Sequence, residues 1–141
     1  MRRRVQGIAK DTLSFIMEAC RDTMPREFAA LLRAEDGIIS DVLILPGTDS
    51  NERQASVKLY MLPNMQIVGS VHSHPNGVLR PSGPDLAFFS PTGSYHLIAG
   101  PPFDERSWAC FDPSGNPRVL EILDVDLEDD IDGFLDEEGD F

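Results

Sequence analysis

The sequence predicts an α+β domain in which a single mixed β-sheet is flanked by two main helices. Short apolar segments bounded by turn residues recur along the chain and are typical of strands. Two other stretches carry apolar residues in patterns that favour helices. Together they give six or seven strands and two helices around one sheet. The chain has 141 residues, which suits one domain with its own core.

The first helix is predicted over residues 10–22, with Asp11 available as its N-cap and Ile8 just before it. Met24-Pro25 is expected to end this helix. Its apolar positions recur at helical spacing and are Leu13, Ile16, Met17 and Cys20.

A hairpin is predicted next, because the turn signal Asp36-Gly37 separates two apolar runs at 28–34 and 38–45. The second helix is expected to begin at Ser82, and 91–94 is predicted to be a loop. The other predicted strands are 55–61, 66–74, 95–99, 108–111 and 118–122.

Charge is distributed unevenly along the chain, whose net charge is −12. Residues 121–141 contain 11 acidic residues and no Lys or Arg, whereas the remaining 120 residues contain 13 acidic and 12 basic residues. A neutral body with an acidic tail argues against nucleic-acid binding, which needs a basic surface. We therefore predict a folded domain over 1–123 and a flexible acidic tail over 124–141. A short helix in this tail, built on its few apolar residues, is the alternative.

No apolar run approaches the roughly 20 residues that span a bilayer, and no apolar stretch of signal-peptide length follows the N-terminal arginines. We therefore expect a cytoplasmic protein without a membrane partner. Cys20 and Cys110 lie far apart and have no zinc-finger spacing, so buried free thiols are favoured over a disulfide.

The motif that carries chemistry lies within residues 71–86, VHSHPNGVLRPSGPDL. His72 and His74 are one residue apart, Ser82 follows after seven residues and Asp85 after two more, which gives H-x-H-x7-S-x2-D. Alternation along a strand would place both imidazoles on the same face. Two imidazoles and a carboxylate form the ligand set of an open catalytic zinc site.

This motif resembles that of the JAMM (MPN+) zinc metalloproteases, and the neighbouring sequence resembles the small single-domain archaeal members. The segment PREFAALL at 25–32 looks like the family's upstream segment, in which a glutamate precedes a buried strand. The resemblance covers about residues 8–122, also through Met61-Leu62-Pro63, residues 95–98 and Ser107-Trp108. It implies a mixed sheet flanked by two helices, a layered architecture like that of cytidine deaminases.

The resemblance also implies roles for five residues. His72, His74 and Asp85 would bind Zn²⁺, and Glu27 would act as general base toward a zinc-activated water. Ser82 would donate a hydrogen bond to the oxyanion. Each role has a plainer alternative: Ser82 also sits where a helix N-cap is expected, and Glu27 could be an ordinary surface acid.

Four other features are assigned no catalytic role. Ser73 should point to the opposite face of the strand from the histidines. His96 is expected to be a packed structural histidine, and Trp108 to lie in the core or at its rim. Val57, Leu59 and Met61 could form an edge that pairs with an extended substrate tail, or they could be plain core.

The predicted function is hydrolysis of the bond between the C-terminal Gly-Gly of a ubiquitin-like protein and a lysine amine, or of the linear equivalent. One alternative is a peptidase that processes Gly-Gly-tailed sulfur-carrier proteins. The other is a non-catalytic MPN scaffold, which is disfavoured because scaffold members typically lack zinc ligands. The modifier, its linkage, the oligomeric state and the role of the tail are left open by the sequence.

Overall fold

A computed structural model describes residues 4–44 and 67–125. Within these ranges the chain forms seven strands and two helices. In chain order they are β1 (Gly7–Ala9), α1 (Lys10–Thr23), β2 (Ala29–Glu35), β3 (Ile38–Ile44), β4 (Ile67–Ser73), α2 (Gly83–Thr92), β5 (Tyr95–Ala99), β6 (Trp108–Phe111) and β7 (Glu121–Leu123).

The described strands form one mixed sheet in the order β6-β5-β4-β2-β3-β1-β7. Antiparallel pairing joins β2 to β3 and β4, and β5 to β6. Parallel pairing joins β1 to β3 and β7, and β4 to β5. The mixed sheet with two helices confirms the predicted fold class and places β4, which carries the first histidine of the motif, near the middle.

The two helices cover opposite faces of this sheet. Leu13 and Ile16 of α1 share a buried apolar cluster with Val71 of β4. On the other face, Phe88 and Phe89 of α2 pack against the ring of His72. Since neighbouring strand residues point to opposite faces, Val71 and His72 mark the two sides of one strand. Residue 72 therefore lies on the α2 side.

The hairpin between β2 and β3 forms as predicted. Its turn residues Asp36 and Gly37 both have positive φ, 53° and 82°. Asp and Gly are suited to this left-handed conformation, so the sequence signal and the observed turn have the same cause.

Two predictions about the helix ends are wrong, and one short strand was not predicted. The residues before α1 form strand β1, and the N-cap of α1 is Ala9, which makes no side-chain capping bond; Asp11 lies instead in the first turn. The predicted loop at 91–94 begins too early, because α2 continues through Pro91 to Thr92. The hydroxyl of Thr92 lies 3.0 Å from the carbonyl oxygen of Phe88 and supports this last turn.

The last strand is displaced from its predicted position at 118–122 to Glu121–Leu123. Arg118 instead donates its backbone N–H to the carbonyl of Cys110, and Pro117 forms an isolated bridge to Phe111. The guanidinium of Arg118 lies 3.9 Å from the ring centre of Tyr95. These contacts hold the segment before β7 on β6.

Cys20 and Cys110 are both buried and free, as predicted. The predicted strand at 55–61, with Val57, Leu59 and Met61, lies outside the described residues, and so does the acidic tail beyond Val125. Neither helix of the described part is long and apolar enough to cross a membrane.

Candidate metal centre

The end of β4 positions both histidines of the motif. His72 belongs to β4 and is buried with its ring edge toward Phe88, at 5.0 Å between ring centres and an interplanar angle of 90°. His74 lies one residue beyond the strand, where its backbone N–H still donates to the carbonyl of Ala99 at 2.7 Å. The parallel pairing of β4 with β5 therefore extends far enough to fix both residues.

The loop after β4 orients the imidazole of His74. Its Nδ1 lies 2.8 Å from the carbonyl oxygen of Val78, and its own carbonyl accepts a hydrogen bond from Gly77. Nδ1 therefore carries a proton that it donates to Val78, since a carbonyl can only accept. This leaves Nε2 as the atom that points toward α2.

The first turn of α2 positions Asp85 through a capping box. The Ser82 hydroxyl accepts a hydrogen bond from the backbone N–H of Asp85 at 3.2 Å, and the Ser82 N–H donates to Asp85 Oδ2 at 2.9 Å. Pro84 suits this turn because its missing N–H would have had no partner within the helix. The same bonds that begin the helix thus fix the carboxylate.

These elements bring the three predicted ligands together. His74 Nε2 lies 2.8 Å from Asp85 Oδ2, and His72 Nδ1 lies 3.7 Å from Asp85 Oδ1. The exposed fractions of the side chains are 3% for His72, 11% for His74 and 7% for Asp85. Residues that are 13 positions apart in sequence therefore form one nearly buried cluster.

Electrostatics within the cluster keep Asp85 ionised. Burial would raise the pKa of this carboxyl, but hydrogen bonds from His74 and Ser82 and the nearby His72 lower it to about 2. In return, the hydrogen bond to Asp85 raises the pKa of His74 against the opposing effect of burial. The negative charge of Glu27 adds to that increase.

Glu27 reaches the centre through the antiparallel pairing of β2 with β4. Ala29 is paired with His72, and one position further along the backbone N–H of Ser73 donates to the carbonyl of Phe28. Continuing this register places Glu27 opposite His74. The spacing of residues 27 and 74 in the sequence does not indicate that they are close, whereas the pairing of β2 with β4 does.

Comparison with known proteins identifies the family. The domain described as prokaryotic homologues of the JAB domain matches residues 9–111. A probable metalloprotease from Haloferax volcanii is 46% identical over 138 residues, which cover 90% of this chain and 85% of the relative. The chain belongs to the JAMM/MPN family.

Two solved structures agree with this assignment. A JAB1/MPN-domain protein from Archaeoglobus fulgidus has a TM-score of 0.70 and 33% identity, over 84% of this chain and 99% of the other. A structure of JAMM, a metalloprotease-like zinc site in the proteasome and signalosome, has a TM-score of 0.68 and 32% identity, over 85% and 99%. The JAMM/MPN assignment thus rests on sequence and fold together.

The donor set of this JAMM centre fits zinc in its chemistry, with two imidazoles and one carboxylate that leave a fourth position open. Within the described residues, however, no three such side chains are spaced as a ready metal cage. The bond between His74 Nε2 and Asp85 Oδ2 is 2.8 Å, whereas tetrahedral zinc with bonds of about 2.0–2.1 Å separates its donor atoms by about 3.3 Å. Binding therefore needs these two side chains to separate by about half an ångström.

Two residues next to the predicted ligands make hydrogen bonds around the JAMM centre that the sequence did not reveal. Val78 accepts from His74 through its backbone carbonyl, so its side chain gives no signal. Bonds of this kind fix the tautomer of a metal-binding histidine. Ser73 lies on the opposite face of β4 from the histidines, as predicted, and its hydroxyl oxygen accepts a hydrogen bond from the backbone N–H of Phe28.

His96 is not part of the centre. It is fully buried, stacks on Phe89 with ring centres 4.1 Å apart, and has Ser70 Oγ 2.7 Å from its Nδ1. Its Nε2 lies 2.8 Å from the carbonyl oxygen of Gly93. These contacts agree with the predicted role of a packed structural histidine.

Proposed function

We propose that this chain is a zinc-dependent isopeptidase that hydrolyses the bond between the C-terminal Gly-Gly of a ubiquitin-like protein and a lysine amine, or its linear equivalent. The observation that carries the proposal is the convergence of His72, His74 and Asp85 at a point that Glu27 also faces through the β2–β4 register. The probable metalloprotease of Haloferax volcanii supports a hydrolytic activity.

His72, His74 and Asp85 would hold the metal. A bound zinc ion lowers the pKa of a coordinated water to about 7 and polarises a carbonyl. The protein contributes orientation: Val78 fixes the imidazole of His74, and the capping box fixes Asp85. Because Asp85 stays ionised, its charge favours a cation at this point.

Glu27 would act as general base. Its side chain is exposed, and its charge already acts on His74, so it stands at the solvent side of the buried cluster. From there the carboxylate can accept a proton from the attacking water and pass it to the departing amine. A cavity of about 390 Å³ lined by Glu27, Ala29 and Ile44, among others, opens beside it.

Ser82 would stabilise the oxyanion that develops at the scissile carbonyl. Its hydroxyl oxygen accepts from Asp85 N–H, which leaves the hydroxyl proton available for donation. One donor of this kind is typically worth about 2.7–4 kcal/mol in the transition state. The capping role and the catalytic role are therefore compatible.

Burial of the centre supports the Gly-Gly specificity. With His72 only 3% exposed and His74 only 11% exposed, there is little space for side chains next to the scissile bond. A Gly-Gly tail has none, so its backbone can approach more closely than other sequences.

The test is cleavage of three matched substrates by the full chain. They are a ubiquitin-like protein joined through Gly-Gly to a lysine amine, the same conjugate ending in Ala-Ala, and a sulfur-carrier protein joined to an amino acid. We expect zinc-dependent cleavage of the first, loss of activity with a chelator, recovery with zinc, and little cleavage of the second. Cleavage of the carrier adduct alone would favour the sulfur-carrier alternative, and no cleavage of any substrate would contradict the proposal.

A further inference from the structure

Ser73 lies between the two histidines in sequence but on the opposite face of β4, where it is completely buried. A buried hydroxyl at this position is costly unless both of its hydrogen-bonding capacities are used. The partners of this hydroxyl show what it does.

The first partner is the backbone of Phe28. Phe28 N–H donates to Ser73 Oγ at 2.7 Å, and Ser73 N–H donates to the Phe28 carbonyl at 2.9 Å. In an ordinary antiparallel ladder the second bond would be returned by the backbone carbonyl of the paired residue. Here the side chain of Ser73 accepts it instead, so the contact at the entry to β2 depends on this residue being a serine or a threonine.

The second partner is Cys20 of α1, a fully buried thiol that lies close enough for the Ser73 hydroxyl to lower its pKa. Burial raises the pKa of Cys20 to about 12, so the thiol stays neutral. The hydroxyl oxygen of Ser73 thus accepts from Phe28 while its proton is directed to Cys20. The hydroxyl therefore links β4 to the start of β2 through Phe28 and faces α1 at Cys20.

Glu27 directly precedes Phe28 and its side chain is exposed. The backbone around it is fixed on one side by the bond from Arg26 N–H to Thr23 O at 3.0 Å. On the other side it is fixed by the two bonds between Phe28 and Ser73. The position of Glu27 opposite His74 therefore depends on the hydrogen bond that the Ser73 hydroxyl accepts from Phe28.

We infer that Ser73 is a positioning residue of the JAMM centre: its hydroxyl fixes the backbone of Phe28 and thereby holds the Glu27 carboxylate opposite His74. The inference rests on the proposed function, because it assigns to Ser73 an effect on a reaction in which Glu27 is the base. A displacement of a catalytic group by about 1 Å can cost about 10²-fold in rate. Loss of one of several anchors is expected to cost about tenfold in kcat.

A serine that only filled the core would lower stability without a specific effect on Glu27. Ser70→Ala is the matched control, because Ser70 lies on the same strand and is also fully buried, and its hydroxyl bonds to His96 and not to Phe28. Ser73→Thr keeps the hydroxyl and should restore the anchor. All variants are compared at equal zinc content.

The first measurement needs neither zinc nor substrate. Amide hydrogen exchange of the metal-free protein should show at least tenfold faster exchange at Phe28 in Ser73→Ala, with wild-type exchange there in Ser70→Ala. Cys20→Ala, which removes only the second partner of the hydroxyl, should give a smaller increase at Phe28 and keeps the test usable if Ser73→Ala does not fold. Unchanged exchange at Phe28 in Ser73→Ala, or in Cys20→Ala if Ser73→Ala does not fold, would overturn the inference.

The second measurement is kinetic. Ser73→Ala should lower kcat about tenfold with KM unchanged, and Ser73→Thr should recover most of it. In a Glu27→Gln background, Ser73→Ala should cause no further loss, because its effect passes through Glu27. An equal further loss in that background would show that Ser73 acts elsewhere. If the wild-type chain cleaves no conjugate, the proposed function fails, while faster exchange at Phe28 still supports the anchor.

Discussion

His74 Nε2 lies 2.8 Å from Asp85 Oδ2, so the end of β4 and the first turn of α2 are joined directly through the candidate metal centre. Since Nδ1 of the same ring is engaged by Val78, both ring nitrogens of His74 face acceptors. Two acceptors around one ring favour the protonated imidazole in the metal-free protein, and a cation bound by Nε2 takes the place of one proton. The contact thus occupies the position that a metal would use.

His74→Ala should abolish zinc binding, because it removes one of only three protein ligands. We expect about one zinc ion per wild-type chain and almost none in the variant, as measured by elemental analysis after gel filtration. The fold should persist, since the apolar clusters on both faces of the sheet do not include this residue. His96→Gln is the control, because His96 lies outside the centre and its substitution should leave zinc content unchanged. Equal zinc in wild type and His74→Ala would remove the assigned site.

Glu27→Gln should separate the base from the ligands. The amide is similar in size but cannot accept a proton, so zinc should be retained while turnover falls about 10²–10⁴-fold. Substrate affinity should change little, because the lost interaction belongs to the transition state. Zinc content and single-turnover cleavage measure the two effects separately. Glu18→Gln, an exposed acid on α1, should behave as wild type. A Glu27→Gln enzyme with the wild-type rate would mean that another acid is the base.

The features of the centre that the sequence predicted depend on residues that are close together in the chain. Alternation along β4 separates His72 from Ser73, and the spacing from Ser82 to Asp85 produces the capping box that was considered as an alternative to catalysis. Both interpretations of Ser82 start from the same three-residue spacing. The bonds observed at Ser82 establish the cap and leave its proton available.

The remainder depends on pairing between distant segments. Glu27 meets His74 through the β2–β4 register, and its predicted role came from a family resemblance, which no single-sequence pattern could replace. Strand β1 has only three residues, Gly7–Ala9, too short for an alternating pattern, and it forms because β3 and β7 pair with it on either side. The bond from Phe28 to Ser73 likewise joins residues 45 positions apart.

Buried His96 should make stability fall as the pH falls below neutrality. Burial lowers its pKa from 6.5 to about 4, and it stays neutral between Ser70 and Gly93. Between these two values the unfolded chain binds a proton that the folded chain does not, so the free energy of unfolding decreases through this window and levels off below it. The full effect of such a shift is up to about 3 kcal/mol.

Urea unfolding of wild type and His96→Gln from pH 7 down to about 4 measures this contribution. His74 and Asp85 also titrate, but they do so in both proteins, and the difference between the two curves isolates His96. The wild-type advantage at neutral pH should shrink as the solution is acidified. A constant difference across the range would show that His96 takes up its proton equally in both states.

Ser82 should affect both stability and catalysis, and two substitutions distinguish the effects. Ser82→Ala removes the oxygen that accepts from Asp85 N–H, so it should lower the free energy of unfolding by about 1 kcal/mol. The Ser82 N–H to Asp85 bond belongs to the backbone and survives, so zinc should be retained. Turnover should fall about 10²–10³-fold if the hydroxyl proton stabilises the oxyanion.

Ser82→Thr keeps both the acceptor and the proton, and it should therefore recover the stability and most of the turnover. Denaturant unfolding and single-turnover cleavage at equal zinc content are compared for the three proteins. A loss of stability in Ser82→Ala without a loss of turnover would limit Ser82 to capping α2. A loss of turnover accompanied by loss of zinc would mean that the cap acts through the position of Asp85, because the carboxylate would then have lost its orientation together with the first turn of the helix.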